Sequence, residues 1–350
     1  MKARSLIAAA ASAALAFALL FALVARGHVD LAALGQKLAH VRPLHFLGLV
    51  LATALHVLLA GEKWRAVEER LTGREHLPHR LCFAFSALGA ALGQFLPLQV
   101  ATAATRSLGS RLFTGSGALR SALATFFEQG FDVLAIGLAG LASVYCLWAG
   151  KLAYWPVAAC LAAALGWSLC SPALAFAGAC VEWLERSRVG RLPRIKALAG
   201  IIARSRLLEG ALARRLLAVS MARFLVLCVM ADLTTRASGI EVSTLRLAAS
   251  LPLVVLATAV AITPAGIGVN EWSLAASLTA FGADFETATQ WALMNRVLVA
   301  MASVLVGGMG AVLAFASKAS GRFDAAPSAQ DPADLPGSVP RSVPQDNFVI

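Results

Sequence analysis

The chain has 350 residues, 59% of them hydrophobic and 14% charged, with a net charge of +11 and a mean hydropathy of +0.75. Apolar runs near or above the ~18 residues needed to span a bilayer recur along it, which excludes a soluble globular domain and describes a polytopic helical membrane protein. Lys and Arg cluster in short loops between those runs, so the basicity reads as membrane orientation and contact with anionic lipid, not nucleic-acid binding.

Lys2 and Arg4 open the chain as they would a signal peptide, yet the apolar stretch 6–25 exceeds the usual hydrophobic region of about 7–15 residues, which predicts a retained first helix. Further full spans are expected at 44–61, 121–149, 154–180, 216–236 and 288–316. Two more apolar stretches, 81–120 and 245–283, are interrupted by Pro97 and Pro264. Proline removes a helical hydrogen bond and kinks or ends the helix. After Pro97 the chain is too polar for a second lipid-facing span. Cys82, Cys146, Cys160, Cys170, Cys180 and Cys228 lie in apolar runs without CxxC spacing, so they read as small core residues with no redox or metal role.

Charge counting decides how the first broken stretch sits. If it is re-entrant, both termini and the loops 62–80 and 182–215 face the cytoplasm, and Lys plus Arg divide 22 inside against 6 outside. If it crosses once, the nine-charge loop 182–215 moves outside, against the positive-inside rule. The re-entrant form follows, and parity makes the second break enter from the opposite face, either as a re-entrant pair or as two short spans. Pro97 precedes Arg106 by 9 and Glu128 by 31 residues, while Pro264 precedes Glu271 by 7 and Arg296 by 32. That spacing suggests an inverted repeat with the charge signs exchanged, a recurring transporter plan.

The sequence TPAGIGVNEW, 263–272, sets Pro264, Gly266, Gly268 and Glu271 inside apolar chain. Hydrocarbon offers backbone no hydrogen-bond partner, so such a break survives only where protein or a wet cavity surrounds it. Glu271 and Arg296 lie 25 residues apart on elements that the intervening turn can bring side by side. Their pair either holds the bundle together or contacts a lipid head group in passage. Arg106 is suited to bidentate recognition of phosphate or carboxylate, or else anchors the chain at the cytoplasmic surface. Glu128 and Asp132, four apart on one helix face, either carry protons or pair with Arg106. Arg223, Asp232 and Arg236 read as internal pairs or snorkelling residues. His76 and His79 imitate a metal spacing, but Pro78 interrupts the helix that would align them; no P-loop occurs. The basic loop 182–215 interleaves Leu and Ile with its charges, as an interfacial helix does, and 323–350 has the composition of a disordered tail.

The segments FLPLQVATAATRSLGSR, FFEQGFD, TPAGIGVNEWSLAASLTAFG and the later NRV resemble the transmembrane-region family of lysylphosphatidylglycerol synthases, flippase-like integral membrane proteins. The resemblance covers about 44–316, strongest at Pro264, Gly266, Gly268, Glu271 and Arg296, with Pro97 and Arg106 fitting the first motif. Between Pro97 and Arg106 the family is usually Gly-rich, whereas this chain has Gln99, Ala101, Thr102, Ala103 and Ala104, and an Asp-Arg pair common in the next helix is Glu128-Gln129 here. No soluble region is long enough for the aminoacyl-transferase domain of the full synthases, so the resemblance implies lipid translocation, not synthesis.

The expectation is an all-α polytopic bundle with an N-terminal helix and loop over 1–43, a flippase-like domain over 44–316 and a tail over 317–350. It would sit in the inner membrane with both termini cytoplasmic and move an anionic or zwitterionic lipid, its head group meeting Arg106, Glu128, Glu271 and Arg296 without cofactor or metal. The competing readings are an accessory subunit docked on a lipid-biosynthetic enzyme and a membrane-embedded lipid-modifying enzyme.

Overall fold

The computed structural model describes residues 2–72, 78–113, 118–186, 209–259 and 263–319, and these are helical with no strand among them. The helices are α1 (Lys2–Arg26), α2 (Leu31–Ala39), α3 (Pro43–Thr72), α4 (His79–Leu92), α5 (Leu98–Phe113), α6 (Ala118–Ala149), α7 (Trp155–Arg186), α8 (Gly210–Ser238), α9 (Thr244–Ala259), α10 (Val269–Ala280) and α11 (Phe285–Ala319). Helices α3, α6, α7, α8 and α11 are long and apolar enough to cross a membrane, and α1 with α2 forms a further candidate bent by 95°. The chain is an integral, multi-pass membrane protein, as its apolar runs require.

At 1.5 Å per residue, α4 and α5 are about 21 and 24 Å long, and α9 and α10 about 24 and 18 Å, all short of the ~30 Å hydrocarbon core. Each short pair packs on itself as a hairpin, α4 on α5 and α9 on α10. The described helices of the stretch 245–283 therefore form a hairpin of two short elements around the break.

Two halves emerge, α3–α6 and α8–α11, each ordered long, short, short, long. In the first, α4 packs between α3 and α11, and α5 rests on α6; in the second, α9 packs between α8 and α6, and α10 rests on α11. Each contact in one half has its counterpart in the other. The halves run in opposite directions. Gly48 of α3 faces Leu233 of α8, and Lys63 reaches Ser220, so α3 and α8 are antiparallel. Trp155 at the start of α7 lies against Phe224, while Gly210 at the start of α8 meets Ser171, so the chain reverses between α7 and α8. Trp291 near the start of α11 donates to Thr235 near the end of α8 at 2.8 Å. The fold is an inverted repeat whose two breaks enter from opposite faces.

Side chains alone gain little by leaving lipid for a protein interior, so close backbone approach carries much of the packing. The main core lies where α3, α8, α10 and α11 meet, around Leu49, Met230, Leu274, Leu278 and Trp291.

One boundary differs from expectation. The segment 62–80 reads as a charged loop, yet α3 continues to Thr72. Arg65 pairs with Glu62 at 3.3 Å and Glu69 at 3.0 Å, each about one turn away, satisfying the helix surface, while Ala60, Lys63, Trp64 and Val67 continue the buried stripe. Lys63, counted as a loop anchor, is consequently inside the bundle. Residues 187–208, holding most of the expected interfacial helix, and the tail beyond 319 lie outside the described residues.

Candidate functional site

The buried charges fall into two groups, one beside each break. In the first half, Arg106 of α5 and Glu128 of α6 form an ion pair through Nη1 and Oε1. Arg106 Nε donates to Ser86 Oγ at 3.3 Å and Nη2 to the Ala60 carbonyl at 3.2 Å. Its guanidinium carbon lies 5.5 Å from the centre of the Trp64 ring. The planar fork thus meets a carboxylate, a hydroxyl, a carbonyl and a π face, the combination that makes Arg tolerable away from water. Helix α5 brings it inward with a face of small residues: Ala101, Thr102, Thr105, Gly109 and Ser110 are buried, whereas Leu108 and Leu112 point out.

Lys63 extends this pair into a network. Its ammonium lies 3.0 Å from Glu128 Oε2, contacts Asp132 Oδ1, and donates to Ser220 Oγ and the Glu128 carbonyl, each at 2.9 Å. Arg223 of α8 closes the far side of Asp132 through Nη1 and Oδ2. Glu128 and Asp132 do share one helix face, and that face is turned to cations from three other helices. Asp232 and Arg236 form a separate pair at 2.6 Å on the α8 surface.

The second break has a different construction. Ala265, Gly266 and Gly268 take positive φ of 52°, 67° and 83°, and α10 starts immediately afterwards. Glu271 Oε2 accepts the Gly268 N–H at 2.7 Å, capping the helix from inside. Its other oxygen lies 3.7 Å from Arg296 Nε. Arg296 also donates from Nη1 to the Ala265 carbonyl and from Nη2 to the Gln94 carbonyl, both at 3.2 Å. Ala265 closes the second break and Gln94 the first. One guanidinium on α11 therefore joins the tips of both hairpins, and it remains 23% exposed against 1% for Glu271.

Helix α1 covers this break. Trp272 Nε1 donates to the Leu19 carbonyl at 2.7 Å, and a Cβ on Gly268 would stand 2.6 Å from Leu19 Cβ and 3.1 Å from the Ala16 carbonyl. Gly268→Ala meets both a positive φ and a collision, so thermal unfolding in micelles is expected to show a loss of about 1–3 kcal/mol, with α1 becoming cleavable by protease first.

The four sequence-selected residues thus divide into Arg106 with Glu128 and Glu271 with Arg296. The equivalent helices of the two halves carry pairs of reversed sign. Lys63 and Gln94 are additions of the structure. The buried stripe of α3 carries on past Gly61 through Lys63, beneath outward charge pairs that mask it; nothing in the sequence marks Gln94, which meets Arg296 through its carbonyl. No group of three or more His, Cys, Asp or Glu side chains suited to a metal occurs among the described residues, and His79 instead meets Glu62.

A model of the lysylphosphatidylglycerol synthase transmembrane region matches residues 7–308, most of the chain. No curated protein and no solved structure gives a significant match. The match spans both halves, both breaks and all four selected charges, and the chain belongs to the lysylphosphatidylglycerol synthase transmembrane-region family, membrane proteins related to lipid modification and transport.

Proposed function

We propose that the protein moves a phospholipid or related polar-head lipid between the leaflets of the cytoplasmic membrane without altering it covalently. The observation that carries this reading is Arg296, a partly open guanidinium that ties together two hairpins entering from opposite faces. Charged groups at membrane depth are costly and usually serve a pathway, and broken elements that meet inside the membrane are where transporters hold substrate. Arg296 binds the lipid phosphate, which competes with Glu271 at its 3.7 Å separation. The acyl tails stay in the bilayer. Both termini face the cytoplasm, as the positive-inside balance favours.

Purified protein reconstituted with lipids radiolabelled in the head group tests this reading. Head-group movement with every lipid recovered unchanged is expected; a new covalent lipid species without movement overturns it in favour of an enzyme. If instead neither occurs, and charge reversals across 186–215 abolish binding to a lipid-synthetic enzyme, an accessory role replaces it.

A further inference from the structure

Three polar side chains lie in the middle of the bundle, at the far end of the network that starts from the Arg106–Glu128 pair. His56, Asp132 and Arg223 each lie within two residues of the midpoint of α3, α6 and α8. Glu128 is about 8 Å from the middle of α6, and Arg296 about 9 Å from the middle of α11, in both cases toward the helix start. Because α11 runs antiparallel to α8 and α8 parallel to α6, these displacements point to opposite faces. The three groups form successive layers of charge, with Arg223 in the central one.

The network that links the central layer to the Arg106 layer is not electrostatically closed. Lys63, Arg106 and Arg223 against Glu128 and Asp132 leave one positive charge in excess among the five side chains in mutual ionic contact. Arg106, Lys63 and Glu128 are each 1% exposed, whereas Arg223 and Asp132 keep 15% and 20%, so the open edge of the network is at Arg223. Arg223 Nη2 lies 2.9 Å from His56 Nε2. Arginine only donates, so Nε2 accepts, and the neutral imidazole carries its proton on Nδ1. That Nδ1–H and the Arg223 Nε–H are buried, and neither has a hydrogen-bond acceptor among the described residues. Unused buried donors are expensive, and a surplus cation beside them is more so.

We infer that Arg223 and His56 form a midplane binding site for a phosphate group, with Asp132 as the resident anion that the phosphate displaces. A tetrahedral phosphate offers the several acceptor oxygens these donors lack and neutralises the excess charge, and the guanidinium fork matches its geometry. Asp132, once displaced, remains held by Lys63. The physiological role, a way station between the Arg106 and Arg296 layers, rests on the translocation reading; the binding chemistry does not.

The test uses the full chain in uncharged detergent micelles, titrated separately with inorganic phosphate and with a short-chain phosphatidylglycerol, and followed by thermal stability. The lipid is expected to stabilise the wild type; a response to inorganic phosphate as well identifies the free anion as a ligand, and a response to lipid alone identifies the head group. Asp132→Asn removes the competitor and is expected to tighten binding about tenfold, while Arg223→Gln abolishes it. Arg223→Lys keeps the ion pair but loses the Nε–H, so it serves if Arg223→Gln does not fold, and it should weaken binding about tenfold. Each titration is run also in an Arg296→Gln background, which removes the phosphate contact that the transport reading gives Arg296, so that the Asp132 and Arg223 effects are read at this site alone. Unchanged or weaker binding in folded Asp132→Asn, or wild-type binding in both Arg223 variants, overturns the site. Binding that behaves as expected in a protein that moves no lipid sinks the transport reading alone.

Discussion

Glu128→Ala is expected to be the most destabilising single change in the described chain, costing about 3–5 kcal/mol in detergent unfolding. Arg106 would keep only the Ser86 hydroxyl, the Ala60 carbonyl and the Trp64 face, and Lys63 would keep Asp132, Ser220 and the backbone carbonyl of residue 128. Three cations, Lys63, Arg106 and Arg223, would then face the one carboxylate of Asp132 away from water. The penalty comes mostly from the charge left behind, so the double change Arg106→Met, Glu128→Leu should recover most of the lost stability although it deletes more contacts. Equal destabilisation in single and double variants would show that the pair itself, and not its imbalance, holds α5 on α6.

Gly310→Leu should also destabilise the bundle, by a steric route. A Cβ on Gly310 would lie 2.8 Å from the Ala84 carbonyl and 2.8 Å from Ala87 Cβ, and one on Gly307 would lie 2.4 Å from Ala91 Cβ. On the opposite side of α4, a Cβ on Gly61 of α3 would lie 3.0 Å from the Cys82 backbone. Helix α4 is thus clamped between glycines of two long helices, and it cannot step away from one without striking the other. Overpacking of this kind typically costs about 1–3 kcal/mol. Since α4 carries Gln94 at its end, Gly310→Leu is also expected to separate the first break from Arg296 and raise thiol labelling of a cysteine placed at Phe95. Unchanged labelling with lowered stability would confine the damage to packing.

The long helices were legible because an uninterrupted apolar run is a local signal that depends on no other part of the chain. The breaks were legible because Pro97 and Pro264 coincide with polar residues or glycines, whereas Pro172 and Pro252, in mostly apolar surroundings, lie inside α7 and α9, and the approach of Glu271 to Arg296 because a short turn joins their helices. The inverted repeat showed faintly in the spacing of charges after each proline; the matching contacts of the two halves make it explicit. Lys63 was hidden because it stands among Glu62, Arg65 and Glu69, whose outward pairs make the segment look like a solvated loop, although its own position is on the buried stripe. The bond from Arg296 to Gln94 joins residues 202 apart and involves a backbone carbonyl, so no side-chain pattern announces it. Arg223 was read as an internal pair, and pairing with Asp132 alone would have completed that description; the contact with His56 and the unused Nε–H distinguish it.

The decisive measurement is reduction of a head-group-labelled phospholipid in proteoliposomes by an impermeant reagent, comparing wild type with Arg296→Gln. Protein-free vesicles lose only the outer-leaflet signal. If a lipid head group passes the two hairpin tips through Arg296, wild type should carry the loss on to the inner leaflet, and Arg296→Gln should slow that phase about 10- to 100-fold, the worth of one charge-assisted contact. Wild-type vesicles that retain the whole inner-leaflet signal for every phospholipid head group, or an Arg296→Gln protein that moves lipid at the wild-type rate, would contradict the mechanism.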